Sequence, residues 1–406
     1  MSLFYPCGRM SRRALMAAAA TLPVIEGVRH VSANDDTTPM KTLFDKKDLG
    51  VPGPFPGRVI EAKNPRLIQN GKRSRDAIRE TLNRGMKELA KSDDGVEAWR
   101  NFFEPGDVVG IKVVPNGHPQ APTSPELVLE VIECLKLAGV KTKDMFVYDR
   151  YKGEFMNAGY QNVLPPEVRW GGLTPGGGPQ TELHLDAHKD DPIAGYDPDT
   201  FVHMNLIDSG SDPKDDRNYR SHLGLFVTKV VNKIIALPVL KDHGSAGVTG
   251  ALKNMSHGSV NNVARSHSTP STNVCNQFIP EVICHPVLRQ KFVLNVMDGI
   301  RGVFQKGPFG YNPKFAWDYN SLFFATDPVA LDHVEWQIID AKRKVEGLPP
   351  VASTGRTALD PLQTEGFDVR QPQHIALAGS LGLGLFDFKS PKGRRQSIDH
   401  RVISLT

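Results

Sequence analysis

The chain has 406 residues, of which 39% are hydrophobic and 23% charged, with a formal net charge of +4. That length supports a sizeable core in one large domain or two joined ones, and the composition is that of an ordinary globular protein. So small a charge, part of it N-terminal, gives no case for nucleic-acid binding, and no apolar run is long enough to span a bilayer.

The first element in chain order is a targeting segment. Arg12 and Arg13 stand just before an apolar run, Ala14 to Ile25, that is too short for a membrane helix. Only cations precede the run (Arg9, Arg12, Arg13), and Val31-Ser32-Ala33 offers a small-residue cleavage site. This is the layout of a secretory signal, and the paired arginines point to the twin-arginine route, which carries folded proteins. Residues 1–33 are therefore expected to be removed, leaving a mature chain that begins near Asn34 and resides in the periplasm or another extracytoplasmic space.

Residues 34–95 read as an arm and a helix. Val51-Pro-Gly-Pro-Phe-Pro-Gly57 predicts an extended linker. Arg58 to Glu61 predicts a short strand. Ser74 to Ala90 predicts an amphipathic helix, since Ile78, Leu82, Met86 and Leu89 recur at helical spacing behind a Ser74 N-cap.

Residues 96–385 read as an α/β core with a mostly parallel or mixed sheet, flanking helices and a long irregular insertion. The near-continuous apolar run Asp107–Val114 predicts a strand buried on both faces. Ser124-Pro125-Glu126 opens a helix that Gly139 closes. Met145–Asp149 is the next strand and completes a crossover unit. Gly171 to Pro179 predicts a glycine-rich loop, and residues 186–220 a long excursion with one strand near Thr200–Ile207. Further strands are predicted at Lys229–Val239, Lys291–Met297, Leu322–Ala325 and Ile375–Ala378, with helices from about Val248 and from Asp327-Pro328. Residues 386–406 read as a basic, weakly patterned tail.

Ligands of such sheets bind where strands end. Four predicted strands end in polar residues: Asn116-Gly-His118, Asp149-Arg150, Lys241-Asp-His243 and Asp298-Gly-Ile-Arg301. In a parallel sheet these converge on one rim. The stretch 236–258 is the densest, with Lys241, His243, Lys253, Asn254 and His257 among Gly244, Gly247 and Gly250. The glycines would let backbone approach a ligand, and the helix that follows would offer free N–H groups to an anion. Lys241, His243, Lys253 and His257 are the candidate catalytic groups. His118, Asp149, Arg150, Asn254 and Asp298 are the candidate contacts to a small anionic substrate.

A second constellation is Glu182-Leu-His184-Leu-Asp186-Ala-His188. On a strand His184, Asp186 and His188 share one face, a candidate divalent-metal set. Its competing explanation is a wet strand face opposite Leu183, Leu185 and Ala187. His203, His222, His267 and His285 are scattered singly and read as ordinary structural histidines. Cys275 and Cys284 could pair, or bind metal with His285, but two separate thiols are the simpler expectation. Without a Cys-x-x-Cys run, no iron–sulfur cluster is expected.

Lys112 with Asn116-Gly-His118, Ser124-Pro-Glu-Leu127, Leu237-Pro-Val-Leu-Lys-Asp-His243, Gly247-Val-Thr-Gly-Ala-Leu-Lys-Asn254, Asp298-Gly-Ile300 and Asp327-Pro-Val-Ala-Leu-Asp332 resemble, in order, the domain of unknown function 362 family. The resemblance runs from about residue 105 to 340. Members of that family are often fused to, or equipped with, iron–sulfur ferredoxin modules, whose cysteines are lacking from this sequence. It implies the fold and the place of the site, and no settled reaction.

Two functional classes follow. One is a cofactor- or metal-dependent enzyme of redox or isomerase type acting on a small anion, with room for a redox partner protein. The other is a non-catalytic module that captures an anion or metal complex.

Overall fold

A computed structural model of the chain describes residues 49–406 apart from 175–182, 184, 186–190, 208–209, 268–274, 352–371, 387, 390–394 and 397. The targeting segment and the 182–188 constellation, with His184, Asp186 and His188, lie outside the described residues.

The centre of the molecule is a ten-stranded mixed sheet. In chain order its strands are β1 (Arg58–Lys63), β2 (Val109–Lys112), β3 (Met145–Tyr151) and β4 (Arg169–Thr174). A separate hairpin follows, β5 (Tyr196–His203) with β6 (Arg220–Gly224). The sheet resumes with β7 (Lys233–Ala236), β8 (Val239–His243), β9 (Gly247–Val248), β10 (Phe292–Val303), β11 (Ala316–Ala325) and β12 (Asp399–Ser404). Across the sheet the order is β12-β1-β11-β10-β7-β2-β3-β4, and β8 adds to the far part of β10. Strands β10, β7, β2, β3 and β4 are mutually parallel, whereas β11 runs against its neighbours β1 and β10. This is the mostly parallel α/β sheet expected from the alternating strand and helix patterns.

The helices carry their starts and stops in sequence. α1 (Arg75–Ala90) begins at Ser74, whose hydroxyl accepts from the Ala77 amide, and buries Ile78, Leu82, Met86 and Leu89. α2 (Gly95–Arg100) begins at Asp94. α3 (Pro125–Ala138) has Pro125 at its first position and ends at Gly139, whose φ of 104° suits glycine. These three pack together, and α1 lies on β1 and β11. Short helices α4 (Lys152–Asn157) and α5 (Leu225–Lys229) follow β3 and β6. α6 (Gly250–His257), α7 (Cys275–Ile283), α8 (Pro286–Lys291), α9 (Pro328–Val345) and α10 (Gln373–Ser380) are the remaining α-helices among the described residues. α6 packs against α7 and α9, and α10 against α7 and α9. No helix among the described residues is long and apolar enough to cross a membrane.

Several expectations need correcting. The Pro/Gly run before β1 is not a linker: Val51 is buried, its amide bonds the Arg289 carbonyl at 2.7 Å, and Gly57 donates to Asp327 at 2.9 Å. The glycines at 171 and 172 lie in β4, where parallel pairing with β3 takes the backbone. Lys229–Val239 splits into β7 and β8, with Leu237 and Pro238 between them. Ile375–Ala378 is helical, because its apolar side chains pack on α7 and α9 rather than on a strand. The tail is not featureless: β12 extends the sheet in parallel with β1.

Candidate active site: a cationic cavity at the strand ends

The ends of β2, β3 and β8 open onto a cavity of about 240 Å³. Its wall includes Lys112 from β2, Asn116 from the following turn, Asp149 and Arg150 from β3, and Glu154 from α4. His243 from β8 and Lys253, Asn254 and His257 from α6 also line it, with His267, Pro308 and Phe309. The volume suits a ligand of a few heavy atoms, smaller than a drug-sized one.

α6 carries the densest set, and all its residues are buried. Gly250 has φ 52°, and a Cβ there would collide with the Asp332 carboxylate, so glycine is required. Asp332 accepts from the Ala251 and Leu252 amides at 2.6 and 2.9 Å. The helix N-terminus is thus satisfied by the protein's own carboxylate, not held open for an anion as the sequence led us to expect. Glu335 lies beside it and accepts from the Lys241 amide at 2.9 Å. Burial raises both carboxyls, Asp332 to about 8; the nearby Asp327 charge adds to the rise at Asp332, and Asp332 adds to the rise at Glu335.

Each lysine has a different environment. Lys112 is fully buried; it pairs with Asp149 and donates to the Val113 carbonyl at 2.7 Å and to Asn254 Oδ1 at 2.8 Å. Lys241 sits behind the wall, donating to Asn116 Oδ1 at 2.5 Å and to the Pro308 carbonyl at 3.0 Å. Burial pulls its ammonium down to about 7. Lys253 lines the cavity, and among the described residues its ammonium has no hydrogen-bond or ion-pair partner. Burial lowers it to about 8. Glu154 is also without a side-chain partner among the described residues. Burial, reinforced by Asp149, raises its carboxyl to about 7.

The histidines are neutral donors and acceptors. His243 Nδ1 accepts from the amides of Ser245 and Ala246 at 2.9 and 3.0 Å, so its proton resides on Nε2. His257 bonds Ser256 Oγ through Nδ1 at 3.0 Å and Ser266 Oγ through Nε2 at 2.8 Å. Burial, with Lys253 close by, drives both rings well below the usual imidazole range. Arg150 donates to the His257 carbonyl at 3.2 Å and stacks 4.1 Å from the Tyr151 ring centroid.

Of the residues singled out in the sequence, Asp149, Arg150, His243, Lys253, Asn254 and His257 line the one cavity, with Lys241 just behind. Two do not join them. His118 is exposed and outside the lining. Asp298 is not at a strand end, because β10 continues to Val303; its carboxylate caps Ser124, accepting from that residue's amide (2.7 Å) and hydroxyl, and from the Ile300 amide at 3.0 Å. Glu154 and His267 also line the cavity and escaped the sequence reading. Glu154 follows the β3 strand end by a few residues, and the strand-end rule applied one helix further would have found it. His267 read as a scattered structural histidine; nothing local marks it, since α7 and a short 3-10 turn bring it to the wall.

The comparisons bear on this region. Residues 221–337 match the family model described as Domain of unknown function (DUF362). No curated protein matches the chain. The DUF362 span holds α6, His243, His267 and the Asp332–Glu335 pair, but not the β2 and β3 residues that complete the cavity, and it is shorter than the stretch over which the sequence motifs resemble the family.

Proposed function

We propose that this chain is an exported enzyme that binds a small carboxylate or other small anion in the cavity and moves a proton within it, an isomerase-type reaction. One observation carries the reading: the Lys253 ammonium and the Glu154 carboxyl share one small cavity, each without a partner among the described residues. An unpaired buried ammonium calls for an anion, because isolating a charge from water is costly unless it is paired. A carboxyl that titrates near neutrality is suited to general acid–base work. Glu154 takes a proton from the carbon next to the substrate's carbonyl or carboxylate group. The electron pair moves onto the oxygen, where Lys253 and the Nε2–H of His243 stabilise it. Glu154 passes that proton to solvent and a solvent proton adds to the opposite face of the same carbon, so the centre is inverted and nothing is oxidised or reduced. Lys112, Asp149 and Asn254 position the wall, and Lys241 adds positive potential behind it.

The test is solvent exchange. Small 2-hydroxy and 2-oxo carboxylates are incubated with the protein in D2O, and deuterium at carbon is followed by NMR. Exchange is expected for at least one compound, lost in Glu154→Gln with binding retained, and lost with binding in Lys253→Ala. Binding without exchange by the wild type would favour the capture-module alternative, and no binding would refute the anion site. Export by the twin-arginine route is part of the same proposal; it predicts that Arg12→Lys with Arg13→Lys leaves the protein in the cytoplasmic fraction, and unchanged export would refute it.

A further inference from the structure

His257, His267 and Cys275 lie at the edge of the cavity, where α6, the 264–266 turn and the start of α7 meet. One ligand-type atom from each falls within 4.8 Å of the other two. His257 and His267 line the cavity, and Cys275 is fully buried behind them. The three converge on one hydroxyl. Ser266 Oγ is 2.8 Å from His257 Nε2, 2.9 Å from His267 Nδ1 and 3.8 Å from Cys275 Sγ. It is also 2.6 Å from the Val263 carbonyl, to which it donates.

That hydroxyl is crowded. A serine has one hydrogen and two lone pairs. With its hydrogen on Val263, Ser266 can accept from two of the three neighbours, and His267 Nδ1 has the Val263 carbonyl at 3.3 Å as its other acceptor. Two imidazoles and a thiol gathered around a single hydroxyl, against the Phe278 ring 5.0 Å from His257, exceed what packing needs.

We propose that His257, His267 and Cys275 form a binding site for a borderline-soft transition-metal ion of the zinc type. Two imidazoles and a thiolate are the donors such an ion prefers, at bond lengths of about 2.0–2.3 Å. Bonds of that length need ligand atoms closer together than 4.8 Å, so small side-chain rotations close the set. The other ring nitrogen of His257 is already held by Ser256 Oγ at 3.0 Å, the outer-shell support that metal-bound histidines use. The thiol gives up its proton as the ion binds, and the resulting negative charge offsets the positive potential of Lys253 and Arg150. Because two of the ligands line the cavity, a remaining coordination position opens towards it. The set is distinct from the His184–Asp186–His188 constellation, and it does not depend on the reaction proposed above.

The test uses the full chain under nitrogen with a non-thiol reductant, titrated with cobalt(II) chloride as a spectroscopic stand-in for zinc. One ion per chain is expected, with a near-ultraviolet thiolate-to-cobalt band and the visible bands of a four-coordinate site. Zinc should displace it. A chain with Cys7, Cys134 and Cys284 all changed to Ser keeps the band, Cys275→Ser loses it, and His267→Gln weakens binding by at least about tenfold. Absence of the band from the wild type or from the chain whose one cysteine is Cys275 would overturn the proposal, as would binding by folded Cys275→Ser equal to wild type. If Cys275→Ser does not fold, the single-cysteine chain and His267→Gln decide. Glu154→Gln should keep the band, so a failed exchange assay and a failed metal site are told apart.

Discussion

Lys112 Nζ donates a 2.8 Å hydrogen bond to Asn254 Oδ1, and this contact joins the parallel strands to the helix that carries most of the site. It also fixes the amide. With Oδ1 taken, Asn254 presents its Nδ2 group as a buried donor with no partner among the described residues. Asn254 and Lys253 both line the cavity, so this donor offers an anion there a second contact. The close approach depends on Gly258, where a Cβ would run into the Lys112 side chain.

Lys253→Met should be at least as stable as wild type, because it removes a buried cation that is without a partner. A thermal-shift screen of small carboxylates and phosphate should raise the wild-type Tm, since a ligand at 100 times its Kd stabilises by about 2.7 kcal/mol. The variant should not respond. Equal responses of the two proteins would make Lys253 an ordinary lysine.

Glu154 and Lys241 give stability an unusual pH profile. The folded-state carboxyl of Glu154 is raised, to about 7, so the folded protein holds that proton more tightly and loses stability as pH rises from about 4.5 to 7. The Lys241 ammonium is lowered, to about 7, so the folded protein gains stability as pH rises from about 7 towards 10.5. Together the two contribute a minimum near neutrality. Denaturant titrations from pH 4 to 10 should show a shallower falling limb in Glu154→Gln, the rest of it coming from the raised carboxyls of Asp332 and Glu335. An unchanged limb would show that another group causes it.

Asp332→Ala strands the Ala251 and Leu252 amides at the start of α6. Loss of a capping carboxylate of this kind costs about 1–2 kcal/mol, and the anion response should weaken with it because Lys253 and Asn254 ride on that helix. Denaturant unfolding and the thermal-shift screen measure the two effects on one sample. A stability loss without any change in anion response would separate the cap from the site.

Arg265 and Arg343 are the largest fully buried side chains among the described residues, and the Arg265 guanidinium bonds the Leu206 and Tyr219 carbonyls at 2.7 and 2.8 Å and Ser221 Oγ at 2.8 Å. It ties Leu206, Tyr219 and the start of β6 at Ser221 to the 264–266 turn that carries Arg265. Arg265→Leu should destabilise by roughly 3 kcal/mol or more, since the stranded carbonyls each carry a desolvation cost. A change below about 0.5 kcal/mol would place it with ordinary surface substitutions.

Much of the frame was legible because its signals are local. Ser74, Ser124-Pro125 and Gly139 mark helix ends through backbone chemistry, and the buried strands β2 and β3 show as unbroken apolar runs. The rim of the cavity followed from strand ends in a parallel sheet. What was hidden depends on distant partners. Ile375–Ala378 has no period to separate strand from helix. Asp298 looks like a strand-end acid until Ser124 is brought against it. The start of α6 looks like an open anion site until Asp332, from a helix far along the chain, fills it.

That last separation has a kinetic side. Asn254 meets Lys112 across 142 positions of sequence, and Ala251 meets Asp332 across 81. Long loops must close before either contact forms, and such contacts slow folding. The cavity should therefore assemble late, after the β2–β3 crossover and only once α9 is in place. In pulse-labelled hydrogen exchange, α6 amides should gain protection after those of α1 and α3, and any fragment that stops before Pro328 should leave the lysine-bearing helix without its anchor.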